Sequence, residues 1–141
     1  MARNGPTRIA LTGASGNGKT TLARSLALPF VDLEDTDRAQ ATKLVARDAW
    51  VADATHERAL GDLVLARAQL LVWLDLPLPL ILWRAWRRDG RIRLTTIRAH
   101  FANRRSVPAR AARHPHLRLV RIRSRRQAEA FVVAADESVE H

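Results

Sequence analysis

The sequence contains no cysteine, which excludes a disulfide framework, a thiolate-bound metal and a cysteine nucleophile together. Lysine is nearly as scarce. Of 24 basic residues only Lys19 and Lys43 are lysine, so arginine carries almost all the positive charge. Two causes produce that choice: arginine is the better bidentate ligand for phosphate, and a GC-rich genome favours arginine codons whatever the protein does. Long apolar runs are also missing. The greasiest stretch, LLVWLDLPLPLILW, is broken by Asp75, Pro77 and Pro79, and the opening MARNGPTRIAL has no apolar signal segment. Neither a spanning helix nor an export signal is therefore expected, and the expected location is the cytoplasm. No internal repeat or low-complexity linker stands out.

At 141 residues and 47% hydrophobic content the chain can fill one core, so a single domain over residues 1–135 is expected, with an acidic tail at 136–141. The net charge of +10 favours polyanions such as nucleotides, nucleic acid or anionic lipid, without choosing among them.

Strand and helix signals alternate along the chain. RIALTG (Arg8 to Gly13) reads as a strand, followed by a helix from Thr20 to Leu28 that Pro29 stops. FVDL (Phe30 to Leu33) is a second strand, Arg38 to Arg47 a helix and Trp50 to Ala54 a third strand. THERALGDLVLARA follows as a helix capped by Thr55. LLVWLDLP (Leu70 to Pro77) has the unbroken apolar character of a strand covered on both faces. A helix from about Leu80 to Asp89, a basic helical stretch to about Arg105, a strand over His116 to Ser124 and a closing helix complete the chain. This order predicts an α/β fold with a parallel sheet and helical crossovers.

Between the first strand and the first helix lies GASGNGKT, Gly13 to Thr20, which fits G-x-x-x-x-G-K-[ST]. Gly13, Gly16 and Gly18 let the backbone turn tightly and approach phosphate oxygens without a Cβ in the way. Ala14, Ser15 and Asn17 contribute main-chain amides to the same cradle, and Thr21 continues it into the helix. Lys19 reaches the terminal phosphates and the Thr20 hydroxyl ligates magnesium. The bland alternative is a glycine-rich turn, but a strand directly before and a helix directly after is the context of a phosphate loop. GTPase switches, motor ATPases and small kinases all share such a loop. The base-reading N-K-x-D of GTPases is missing and the chain is short for a motor, which leaves a kinase-like domain using ATP and Mg2+.

Further along, Arg84, Arg87, Arg88 and Arg91 fall at i, i+3, i+4 and i+7, on one helical face, with Leu78, Leu82 and Trp86 on another. From Arg84 to Arg126 there are fifteen arginines against one acid, Asp89. A solvated face is the simple reading; a bound polyanion is the functional one. The acids gather instead at Asp32, Glu34, Asp35 and Asp37, at the carboxyl end of the sheet where open α/β folds bind ligands. Asp35 or Asp37 could take a proton from an acceptor hydroxyl, and either could equally cap the next helix. Asp75 is expected to be structural. His100, His114 and His116 lack metal-ligand spacing, and Trp50, Trp73, Trp83 and Trp86 sit in apolar patterns expected in the core.

GASGNGKTTLARSLA, WVADATHER, LLVWLDLPLPLILWRAWRR and LRLVRIRSRRQAEAFV together resemble the P-loop kinase-like family of DNA topology modulation proteins, itself similar to adenylate and other nucleoside monophosphate kinases. The resemblance spans about Ile9 to Val132. It implies a three-layer P-loop NTPase fold with a five-stranded parallel sheet and an arginine-rich lid at about 88–115. It also implies that Arg84 and Arg88 clamp the donor phosphates, that Arg125 stacks on the nucleobase, and that Asp53 holds magnesium through its water shell. Polynucleotide 5′-hydroxyl kinases resemble this layout, with an Asp soon after the second strand that Asp35 or Asp37 would match. Two departures bear on the acceptor. Asp53-Ala54-Thr55-His56 stands where the family has an Asp-Gly-Asn-like turn, leaving His56 to meet an acceptor or serve structurally. The segment from Glu34 to Ala49 has room for one helix and not for an enclosing acceptor subdomain. The expectation is thus an ATP-dependent phosphotransferase acting on a nucleotide or a nucleic-acid end. The alternative is an ATP-binding, nucleic-acid-binding or topology-modulating protein with little turnover.

Overall fold

The computed structural model describes residues 7–14, 18–31, 37–54 and 58–140. Its elements run β1 Arg8–Thr12, α1 Lys19–Ser25, β2 Phe30–Val31, α2 Arg38–Val45, β3 Trp50–Asp53, α3 Arg58–Arg67, β4 Leu70–Leu74, α4 Leu78–Asp89, α5 Leu94–Ala112, β5 Arg118–Ile122 and α6 Arg125–Glu140. The strands form one parallel sheet in the order β2-β3-β1-β4-β5.

Alternate residues of each strand point to opposite faces, and apolar side chains on both faces give the sheet two cores. Ile9, Leu11, Val72 and Leu74 meet Leu22 and Leu26 after β1 and Ala135 of α6. Ala10, Leu71 and Trp73 meet Val45 of α2, Val64 and Leu65 of α3 and Val107 of α5. All five residues of β4 are buried, which is why its sequence shows no polar alternation. The result is the expected three-layer α/β architecture.

Because the strands are parallel, their carboxyl ends share one edge. From β1 the chain crosses to the edge strand β2, returns inward to β3 beside β1, then crosses to β4 on the other side of β1 and on to β5, so the ends of β1, β3 and β4 lie side by side where open α/β sheets bind ligands. Gly13 closes this junction. Its φ is +152°, and a Cβ there would stand 2.6 Å from the Leu74 backbone oxygen. Only glycine lets the chain leave β1 pressed against the end of β4.

Several expected boundaries move. The first helix stops at Ser25, short of Leu28. Helix α4 starts at Leu78 and ends at Gly90, whose N–H donates to Trp86 O at 2.8 Å, so Arg91 lies beyond it and the arginine face stops at Arg88. The buried side of α4 is formed by Ile81 and Ala85. Trp83 and Trp86 are 57% and 53% exposed, against the core placement expected of them, while Trp50 and Trp73 are buried. Helix α5 continues through Pro108 to Ala112; the proline forfeits one backbone hydrogen bond, and burial of Val107 beside it helps hold the helix on the sheet. The final helix extends to Glu140, through the segment expected as a tail. Among the described residues no helix is long and apolar enough to cross a membrane.

Substituting Gly13→Ala is expected to lower stability by about 1–3 kcal/mol, the usual cost of a disfavoured backbone conformation. Denaturant midpoints of the variant and the parent measure it.

Candidate active site

The turn after β1 passes Gly13 and the buried Ala14, and the described chain resumes at Gly18, φ +81°, ahead of Lys19 at the start of α1. In the neighbouring strand Asp53 ends β3 opposite Leu11. Lys19 Nζ reaches Asp53 Oδ2 at 3.3 Å, an ion pair that ties the two turns together above the sheet edge.

Arg84 arrives from α4. Among the described residues the Arg84 guanidinium lies nearest the place a Cβ on Gly18 would occupy, its Nη1 at 3.5 Å, an ordinary van der Waals distance, so it is the positive φ of +81° and not lack of space that favours glycine there. Arg88, one turn further along, also faces the cleft and is paired with Asp89 at 3.1 Å. The hydrogen bond between them raises the Arg88 pKa and is the largest cause lowering that of Asp89; desolvation opposes the latter shift more than any single neighbouring charge adds to it, and the fields of Arg88, Arg93 and Arg91 lower it further.

Together these groups border a cleft of about 1080 Å³, large enough for a nucleoside triphosphate. Gly13, Gly18 and Lys19 line one part, and Thr20 and Thr21 of α1 another. Arg84, Arg88 and Arg125 supply positive charge around it. Thr20 and Asp53 offer a hydroxyl and a carboxylate, the hard oxygen donors that suit magnesium when it keeps most of its waters. Elsewhere among the described residues no three His, Asp or Glu side chains gather as a metal site.

Of the expected site residues, Gly13, Ala14, Gly18, Lys19, Thr20, Thr21, Arg84, Arg88 and Arg125 are brought to the cleft, with Asp53 joined to it through Lys19. Ser15, Gly16, Asn17, Asp32, Glu34, Asp35, Thr55 and His56 lie outside the described residues. Asp37 is the N-cap of α2, accepting from the Gln40 N–H at 2.8 Å; of its two readings this is the capping one. Arg87 turns away from the loop and stacks on Trp83, its guanidinium 5.8 Å from the ring centroid.

Beyond Arg125 at the start of α6, sequence reasoning named none of the side chains that α5 and α6 give to the cleft. Thr95 and Ala99 line the cleft from one, and Ala128 and Val132 with Glu129 and Val133 from the other. Each pair is spaced i, i+4, a signal of a shared helical face that carried no chemical label. Also unforeseen was the cluster around Asp75. This buried carboxylate follows β4 and accepts from Arg121 of β5 through Nε at 2.9 Å and through Nη2. His100 Nδ1 of α5 stands 3.6 Å from its other oxygen, and Arg121 stacks over Trp73 at 4.5 Å. A structural role for Asp75 was expected; its partners were not, because they are 25 and 46 positions away in the chain. The cluster fixes α5 to the sheet edge beside the cleft.

Similar folds occur among solved kinase structures. The chain superposes on a sugar kinase from Janibacter with a TM-score of 0.62, at 19% identity over 96% of this chain and 95% of that one. A shikimate kinase from Acinetobacter baumannii, in complex with shikimate, gives 0.58 at 20% identity over 93% and 91%. A gluconokinase from Sinorhizobium meliloti gives 0.52 at 16% identity over 98% of each chain. No protein-family model matches the sequence, and no curated protein matches it. The fold is thus that of the small P-loop kinases: a five-stranded parallel sheet flanked by helices.

Burial, more than any other cause, lowers the His100 pKa from its ordinary 6.5; Asp75 opposes the shift, and Arg104 and Arg121 add to it. Folding therefore favours the neutral ring. Its contribution to stability is complete above about pH 6.5 and is lost as the pH falls through the lowered folded-state value. Stability should accordingly fall more steeply on acidification below pH 6.5 in the parent than in His100→Gln. Superimposable stability profiles for the two proteins would contradict this.

Proposed function

We propose that the chain is a small ATP-dependent phosphotransferase. The observation that carries this reading is the convergence of the Gly13 and Gly18 turns, Lys19 and the Arg84 guanidinium on one nucleotide-sized cleft at the carboxyl edge of a parallel sheet. Phosphoryl transfer asks for positioning and charge neutralisation more than covalent chemistry, and these groups supply both. Main-chain amides of residues 13–20 cradle the phosphates. Lys19, held by Asp53, turns its ammonium to the terminal oxygens. Arg84 and Arg88 neutralise the charge that spreads over the transferred group, and Arg125 stacks on the base. Thr20 and Asp53 hold Mg2+, which when bound offsets phosphate charge.

For the acceptor we favour a hydroxyl or phosphate on a nucleotide or a nucleic-acid end. The short segment between β2 and β3, with its single helix α2, and the basic C-terminal half support a large or open acceptor. Asp35 takes the acceptor proton, Asp37 being engaged as a cap. The resemblance to the DNA topology modulation proteins belongs to this reading. A second reading, an ATP-binding and nucleic-acid-binding protein with little turnover, draws on the same excess of arginine.

Incubation with γ-labelled ATP, Mg2+ and a panel of nucleotides, 5′-hydroxyl oligonucleotides, sugar acids and water separates the two. Label should move to a nucleotide or oligonucleotide. Lys19→Ala should abolish the transfer, and Arg84→Ala should slow it by roughly 10³ or more, as for a well-placed arginine in this chemistry. Transfer to no acceptor would leave the second reading, and transfer only to a sugar acid would overturn the acceptor assignment.

A further inference from the structure

Helix α5 has two working faces. Thr95, Thr96 and Ala99 belong to the cleft, and Thr96, His100 and Val107 are buried. On the far side Leu94, Arg98, Phe101 and Arg105 recur at i, i+4, i+7 and i+11, one continuous stripe, and all four are exposed. Leu94 and Phe101 are 58% and 51% exposed, unusual for side chains of that size on a helix otherwise packed against the sheet. The Phe101 ring has the Arg104 guanidinium 5.4 Å from its centroid and the edge of His100 at 5.2 Å, which orient it. A groove of about 400 Å³ runs beside it, lined by Phe101, Ala102, Arg104 and Arg105. Helix α5 contains no acid, nor does the chain anywhere from Gly90 to Ala128. No carboxylate among the described residues pairs with Arg98, Arg104 or Arg105.

We infer that the outer face of α5 is a binding track for single-stranded nucleic acid, with Arg98 and Arg105 on successive parts of the phosphate backbone and Phe101 stacking a base between them. Charge limits the partner to a polyanion, and the order of residues selects which one. A membrane-binding helix segregates its apolar side chains from its cations so that the latter stay at the headgroups. Here guanidinium groups alternate with Leu94 and Phe101 on the same stripe, and sinking the ring into lipid would drag Arg98 and Arg105 with it. Alternation of cations with an aromatic ring is instead what a strand of stacked bases and spaced phosphates requires. A second copy of the chain would bring arginine against arginine. Duplex nucleic acid could satisfy the arginines but offers no splayed base to Phe101. The track lies on a different face from the cleft, so it does not rest on the phosphotransfer reading.

Fluorescence anisotropy tests it, with a labelled oligothymidylate, the corresponding duplex and vesicles of phosphatidylglycerol and phosphatidylcholine, all without ATP. The single strand should bind more tightly than the duplex. Phe101→Ala should weaken it about 5- to 100-fold, the range for loss of one aromatic–base stack, without changing the salt dependence. Phe101→Trp should retain the binding, which separates loss of stacking from loss of fold. Arg98→Ala and Arg105→Ala should each reduce the slope of log affinity against log salt by about 0.7. Equal affinity for strand and duplex with no effect of Phe101→Ala would overturn the proposal, as would binding to the vesicles but not to the oligonucleotide.

Discussion

Where β1 ends, Gly13 comes so near the Leu74 carbonyl that a single methyl group would overlap it. That approach sets the end of β1 directly against the end of β4, the strand after which Asp75 and α4 follow. It thereby determines where α1 begins relative to α4. Gly18 takes a left-handed φ of +81°, and Arg84 Nη1 of α4 lies at ordinary contact distance from the place a Cβ there would occupy. Lys19 and Asp53 then join β1 to β3 on the other side. Gly13 and one ion pair thus align the ends of β1, β3 and β4, which come from well-separated parts of the sequence.

Charge is organised around the same edge in two ways. Inside the cleft the cations are set against a sparse supply of acids, with Asp53 beside Lys19 and Asp89 beside Arg88, so the site is basic without being wholly unpaired. Below α5 the buried Asp75 takes Arg121 and sits next to His100. A buried carboxylate is tolerable only with such partners, and its reach from β4 to β5 and α5 holds the helix that forms one wall of the cleft. On the face of α5 away from the cleft, no carboxylate among the described residues pairs with the arginines of the outer stripe. The two basic surfaces therefore differ in kind: one is concave and braced by carboxylates, the other convex and interleaved with apolar side chains.

Much of this was legible in the sequence because its physics is local. The Gly13–Thr20 motif is contiguous, and the strand before it and the helix after it lie where its spacing placed them. The buried strand β4 was visible as an unbroken apolar run, and the strand-helix alternation correctly implied a parallel sheet. What was hidden depends on long-range packing. Trp83 and Trp86 look like core residues by type, but α4 buries the narrow side formed by Ile81 and Ala85, leaving both indoles outside. The basic helical stretch was expected to end at about Arg105, whereas α5 runs on through Pro108 to Ala112 with Val107 buried beside the proline. Arg91 fitted the periodicity of its neighbours, yet Gly90 ends the helix just before it. The partnership of Asp75 with His100 and Arg121 could not be read at all, since no short-range pattern relates them.

Titration of the folded chain with ATP in the presence of Mg2+ by isothermal calorimetry tests the central claim most directly. One nucleotide should bind per chain, with affinity falling sharply when the terminal phosphate is removed, the end of the molecule proposed to meet Lys19 and Arg84. A folded protein that gives no binding heat at several temperatures with either ATP or GTP would contradict the account at its root.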